Sequence, residues 1–154
     1  MAGAVSMSPP TVIVVWVHLA ATLYLAGLIW TIQVVHYPLM SRVERARFDE
    51  FHRRHALRIG WVVIPPMVVE LITSALLTVS PPQGVPRALP ATGVALVAIV
   101  WLSTFAIQVP LHRRLARGFD DAAHRALVRG NWLRTVAWSL RAAIAVAIAM
   151  AATR

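Results

Sequence analysis

The chain has 154 residues, 58% of them hydrophobic and only 14% charged. A soluble domain of this size carries about 25–35% charged residues on its surface, so the composition favours a membrane protein over a water-soluble globule. With no cysteine, the chain has no disulfide, thiolate ligand or Cys nucleophile. The net charge of +9 comes from arginine alone, without lysine, and is concentrated beside apolar stretches. In that setting it reads as a topology signal and as contacts with anionic lipid headgroups. No nucleic-acid-binding module accompanies it, so no nucleic-acid partner is expected.

In chain order, the opening MAGAVSMSPP lacks the basic region of a signal peptide. Four segments approach or exceed the roughly 20 apolar residues that cross a bilayer: 11–40, 59–79, 91–111 and 132–152. The predicted fold is therefore all-α, a single polytopic four-helix bundle over residues 1–154. A Pro/Gly-rich turn separates the second and third segments, at Pro81, Pro82, Gly84, Pro86 and Pro90. Residues 41–58 carry six arginines against three acids, and residues 112–134 six against two, whereas residues 80–90 carry only Arg87. The positive-inside rule then places both basic connectors in the cytoplasm and both termini outside, in an inner or plasma membrane. Trp16, Tyr37, Trp61 and Trp132 fall where interfacial aromatic anchors belong.

The two halves look related. Each has Ile-Gln-Val, a Pro and a His at the end of a span, then a basic amphipathic connector, then Leu-Arg and a Trp entering the next span. This predicts a duplicated two-helix repeat about an axis along the membrane normal.

Glu70 is the one acid within an apolar segment, and Arg141 is its basic counterpart in the last. Intramembrane ionisable groups are costly and by default suggest function. At about 1.5 Å per residue the two lie about 18 Å and 12 Å from the inner boundary, close enough to pair if their helices adjoin. The pair has two readings: a structural ion pair, or a proton-handling catalytic site opening to the cytoplasm. Helical periodicity puts Gln33 on one stripe with His18, Thr22 and His36. It puts Thr104 and Gln108 with Trp101 and His112, and Trp138 with Arg134 and Arg141. Polar stripes turn toward protein rather than lipid, so Gln33, Thr104, Gln108 and Trp138 are candidates for a polar pocket around Glu70.

His52 and His55, at i and i+3 in RFDEFHRRH, share a helical face. Together with His36 and His112 they form a candidate metal set, and imidazole with carboxylate suits zinc, iron or copper. The opposing reading makes them headgroup-layer residues. His18, near the outer end, is a candidate for single-His haem ligation, a less favoured cofactor because no second outer His occurs. His124 falls with the arginines of its connector and reads as solvated.

Pro110-Leu111-His112-Arg113-Arg114-Leu115 and Asn131-Trp132-Leu133-Arg134-Thr135 resemble the anthrone-oxygenase-like group of small bacterial four-span membrane proteins. This chain has His112 where such proteins often carry Asn. The first segment, with His18, Ala26-Gly27-Leu28-Ile29-Trp30 and His36-Tyr37-Pro38, is similar to the opening helix of copper-resistance-type and haem-linked protoporphyrinogen-oxidase membrane proteins. The resemblance implies a membrane-embedded oxidoreductase or oxygenase acting on a lipophilic substrate. The alternative is a non-enzymatic subunit, carrier or scaffold, and either protein could form a homo-oligomer that completes its site.

Overall fold

The computed structural model describes residues 9–153. Among them there are four long helices and no strand: α1 (Pro9–Met40), α2 (Arg45–Val79), α3 (Ala88–Leu115) and α4 (Asp121–Ala152), all long and apolar enough to cross a membrane. Their outer faces carry large apolar side chains such as Trp61, Leu102, Val136 and Leu140. The inner faces carry the polar ones: Thr22, Gln33, Glu70, Ser74, Gln108, Asn131 and Arg141 are all buried. This inversion of a soluble protein's pattern follows from a hydrocarbon solvent that offers no hydrogen bonds. Trp16, Trp61 and Trp132 are exposed, as anchors would be, whereas Tyr37 is buried.

The helices form a four-membered ring. α1 packs extensively on α2 and α4, and α3 packs extensively on α4; the joint between α2 and α3 is the least extensive. α2 and α4 therefore face each other diagonally. The basic stretch from Phe48 to Arg58 does not form a separate connector helix. It continues into the second apolar segment, and Pro65 and Pro66 lie inside α2 without ending it. Most of the second connector likewise forms the first turns of α4.

Both halves share a local widening. α1 passes through a π-helical turn at Ile32–His36 and α3 through one at Thr104–Gln108. Each precedes a proline, Pro38 and Pro110, which has no N–H to give and crowds the carbonyl four residues earlier. One wide turn relieves that conflict, with Tyr37 N–H donating to the Ile32 carbonyl and Val109 N–H to that of Thr104. The two turns contain Ile32-Gln33-Val34 and Ile107-Gln108, so the glutamines of the repeated motif sit where the helix is re-aimed.

At the arginine-rich end, Gly118 turns the chain at a φ of 131° and Asp120 caps α4. Its Oδ1 accepts from Ala123 N–H at 2.9 Å, and Arg114 Nε donates to its Oδ2 at 2.7 Å. These donors, the Ala123 amide first and then Arg114, hold the carboxyl below the ordinary carboxylate range against a smaller opposing effect of desolvation. Because the folded value lies below the unfolded one, the stabilisation is complete above about pH 3.9 and is lost as the pH falls through the folded value. Asp120→Asn keeps a capping oxygen but cannot ionise. Its stability should fall less steeply than wild type between neutral and acid pH in thermal melts followed by circular dichroism. Parallel profiles would contradict the assignment.

Candidate functional site

Glu70 and Arg141 meet across the bundle diagonal, each only 1% exposed. Arg141 Nε donates to Glu70 Oε1 at 2.8 Å. Trp138 Nε1–H donates to Glu70 Oε2 at 3.0 Å, Arg141 Nη2 donates to Ser74 Oγ at 3.0 Å, and Arg141 Nη1 donates to the Gly93 carbonyl. Both carboxylate oxygens and all three guanidinium nitrogens are thus engaged, and the cluster ties α2, α3 and α4 together. His18 joins the next layer. The Thr73 hydroxyl donates to the backbone carbonyl of Val69 at 2.8 Å, so His18 Nδ1–H donates to Thr73 Oγ1 at 2.9 Å.

The two glutamines do not surround Glu70. Gln33 bridges α1 to α4: its Nε2 donates to the Val128 carbonyl at 3.3 Å, and Asn131 Nδ2 donates to its Oε1 at 2.8 Å. Gln108 is 1% exposed, and neither its amide oxygen nor its amide nitrogen has a partner. The expected single pocket therefore divides. Gln33 and Trp138 are joints between helices. Thr104, whose hydroxyl donates to the Val100 carbonyl at 2.7 Å, lines a cavity together with Gln108.

That cavity, of about 180 Å³, lies toward the arginine-rich end of the bundle, at the weak joint between α2 and α3. Its lining includes polar side chains, Tyr37, His55, Thr104, Gln108, His112 and Arg134, and apolar ones, among them Ile59, Val63, Met67 and Val109. Two outward grooves of about 300 and 340 Å³ share residues with it, the first Ile59, Val109 and His112, the second Gly60 and Ile64.

The histidines are gathered here, though not as a ligand set. His36 stacks on His55 with centroids 4.1 Å apart, and His52 stacks on His112 at 5.2 Å. Among the described residues no three His, Asp or Glu side chains are arranged to hold a metal ion. His52 Nε2 lies 3.1 Å from the His112 carbonyl, which can only accept, so that nitrogen carries a proton. It also lies 3.3 Å from His112 Nδ1, which must then be the acceptor. His112 Nε2–H consequently donates to Tyr37 Oη at 3.2 Å. The Tyr37 hydroxyl proton is left without an acceptor beside the cavity.

His124 is 8% exposed rather than solvated, and its Nε2–H donates to the Tyr37 carbonyl at 2.8 Å. Helix α4 starts early enough that its first turn packs on the end of α1, where that carbonyl needs a donor. Tyr37 is thereby pinned to α3 and α4.

Arg134 counted in the sequence as one of six connector arginines and as a member of the Trp138–Arg141 face, but not as a site residue. It is 6% exposed and makes no ion pair or hydrogen bond within the described structure, and its Nε is buried without a partner. The Trp138 ring lies 5.1 Å from its guanidinium carbon. Its helical face, shared with Trp138 and Arg141 at i+4 and i+7, was the available signal. Tyr37 and Asn131 carried none beyond their neighbours in sequence. Comparison with known proteins returned no match: no family model fits the chain, and no curated protein or solved structure matches it.

Proposed function

We propose that the protein takes up a lipophilic small molecule from the cytoplasmic leaflet of the plasma membrane. The molecule enters between α2 and α3 and its head reaches the Tyr37–His112–Arg134 cavity. The observation that carries this reading is a cavity lined by both polar and apolar side chains, adjoining outward apolar grooves at the least extensive helix joint. Ligand sites in helix bundles have this composition: a mostly apolar lining with a few convergent polar groups. The arginine-rich end is assigned to the cytoplasm by the positive-inside rule.

The chemistry the residues support is proton transfer. His52 Nε2–H points to His112 Nδ1, His112 Nε2–H to Tyr37 Oη, and the Tyr37 hydroxyl to the ligand. Tyr37 can give its hydroxyl proton to a basic atom of the ligand, while His112 Nε2–H hydrogen-bonds the phenolate oxygen left behind. An oxidoreductase or oxygenase-like reaction on the bound head would exchange its proton here. Glu70 and Arg141, with each side-chain nitrogen and oxygen engaged within the protein, serve as the lock that holds three helices in register.

Gly60 lines both the cavity and a groove, and a Cβ built there meets only Ile64 Cδ1, at 3.7 Å. Gly60→Phe should therefore plug the entrance. In proteoliposomes, a diazirine-bearing long-chain alcohol is expected to label residues 55–67 and 104–112 of the wild type, with that labelling lost in Gly60→Phe. Uniform labelling of all outer faces, unchanged by the substitution, would remove the pocket from consideration.

A further inference from the structure

The cavity offers unpartnered donors, and its lining includes no carboxylate. The Tyr37 hydroxyl proton is free, the Gln108 amide is unpartnered, and Arg134 brings a guanidinium with no carboxylate to face. The six acids of the chain could have compensated an arginine, but all are committed elsewhere. Glu70 holds Arg141, and Glu44, Asp49, Glu50, Asp120 and Asp121 pair with arginines at the arginine-rich end. A buried guanidinium left to an aromatic ring alone is costly, and in folded proteins such groups meet an opposite charge.

We infer that the missing counter-charge is the ligand: a single-chain lipophilic carboxylate, its head held by Arg134, Gln108 and Tyr37 and its tail leaving along the α2/α3 joint into lipid. The inference rests on the pocket proposed above and names its ligand class. One guanidinium matches one negative charge, and its planar fork with a neighbouring amide and hydroxyl suits the two oxygens of a carboxylate. The volume also selects. About 180 Å³ accommodates a carboxylate and the first part of one chain, whereas a glycerophospholipid would have to pass its backbone and two chains through one joint. The surface arginines, by contrast, are exposed and open to any anionic headgroup.

The test uses the full chain in nanodiscs of zwitterionic lipid, with a dansyl-labelled undecanoate as reporter and three competitors of equal chain length: decanoate, decanol and decyltrimethylammonium. Decanoate is expected to displace the reporter at least about tenfold better than decanol, the difference a charge-assisted hydrogen bond provides, and the ammonium not at all. Arg134→Gln should abolish the preference and weaken binding of the carboxylate reporter itself. Gln108→Glu places a carboxylate in the cavity. It should raise the thermal midpoint without ligand and eliminate decanoate binding, which keeps the inference testable if Arg134→Gln does not fold. Equal binding of decanoate and decanol by the wild type would overturn the carboxylate assignment and leave the pocket standing. Failure of all three competitors and the reporter to bind would overturn the pocket itself. Displacement by nanodiscs containing phosphatidylglycerol, matching that by decanoate, would reassign the site to a lipid phosphate and overturn the single-chain carboxylate.

Discussion

Replacing Glu70 alone by leucine should cost about 3–5 kcal/mol of stability, because it strands the Arg141 guanidinium in the bundle interior. The double replacement Glu70→Leu with Arg141→Leu should recover most of that loss, since a buried ion pair and well-packed apolar side chains of similar volume are often nearly equivalent. The reason lies in the geometry. Every side-chain nitrogen and oxygen of the pair has a hydrogen-bond partner within the protein, among Trp138, Ser74, Gly93 and the pair itself, so each partner's desolvation is compensated only while the other is present. Reversible unfolding in mixed micelles titrated with dodecyl sulfate measures the two single variants, Glu70→Leu and Arg141→Leu, and the double one. If the two single losses simply added in the double variant, the pair would not be acting as a unit. Binding of the diazirine alcohol should survive in the double variant, whereas a catalytic Glu70 would require that ligand handling collapse with it.

Gly130→Val is expected to be the other large effect, about 1–3 kcal/mol of overpacking. A Cβ at Gly130 would lie 2.9 Å from Ile107 Cγ2 and 3.2 Å from Gln108 Nε2. Ile107 is β-branched, and its Cγ2 methyl stands directly on Cβ, so it cannot swing aside as the tip of a long side chain would. The strain falls on the π-helical turn of α3, which aims Gln108 into the cavity. Loss of decanoate binding should therefore accompany the loss of stability, and Gly130→Ala should show the same pattern in weaker form. Both are read from unfolding in micelles and from the reporter displacement described above. Unchanged stability in the valine variant would mean that α3 and α4 are free to separate at this level.

Much of the bundle was legible because its signals are local. Uninterrupted apolar length marks a helix that can cross a bilayer, and arginine-rich connectors mark the two loops at one end. Helical periodicity also placed Trp138 and Arg141 on one face, and that face meets Glu70 and Ser74 across the core. The division of the polar residues was not legible. Gln33 and Gln108 occupy matching positions in the two halves, yet one is saturated by Asn131 and Val128 and the other is bare. Nothing within either segment distinguishes them. Likewise, His124 lies among arginines in the chain but is buried, because the helix it begins starts against the end of α1.

From the sequence alone follow an all-α chain, four apolar helices, two arginine-rich turns at one end, and an acid and a base buried at depths that let them pair. These are properties of composition, spacing and a 3.6-residue period, each fixed within one helix. Only the tertiary structure decided which helices adjoin, that α2 and α3 meet least, and that Arg134 ends there without an acid beside it. Those outcomes depend on how four separately determined faces share one interior. A residue's partner, or its lack of one, belongs to that shared interior and to no single segment of the chain.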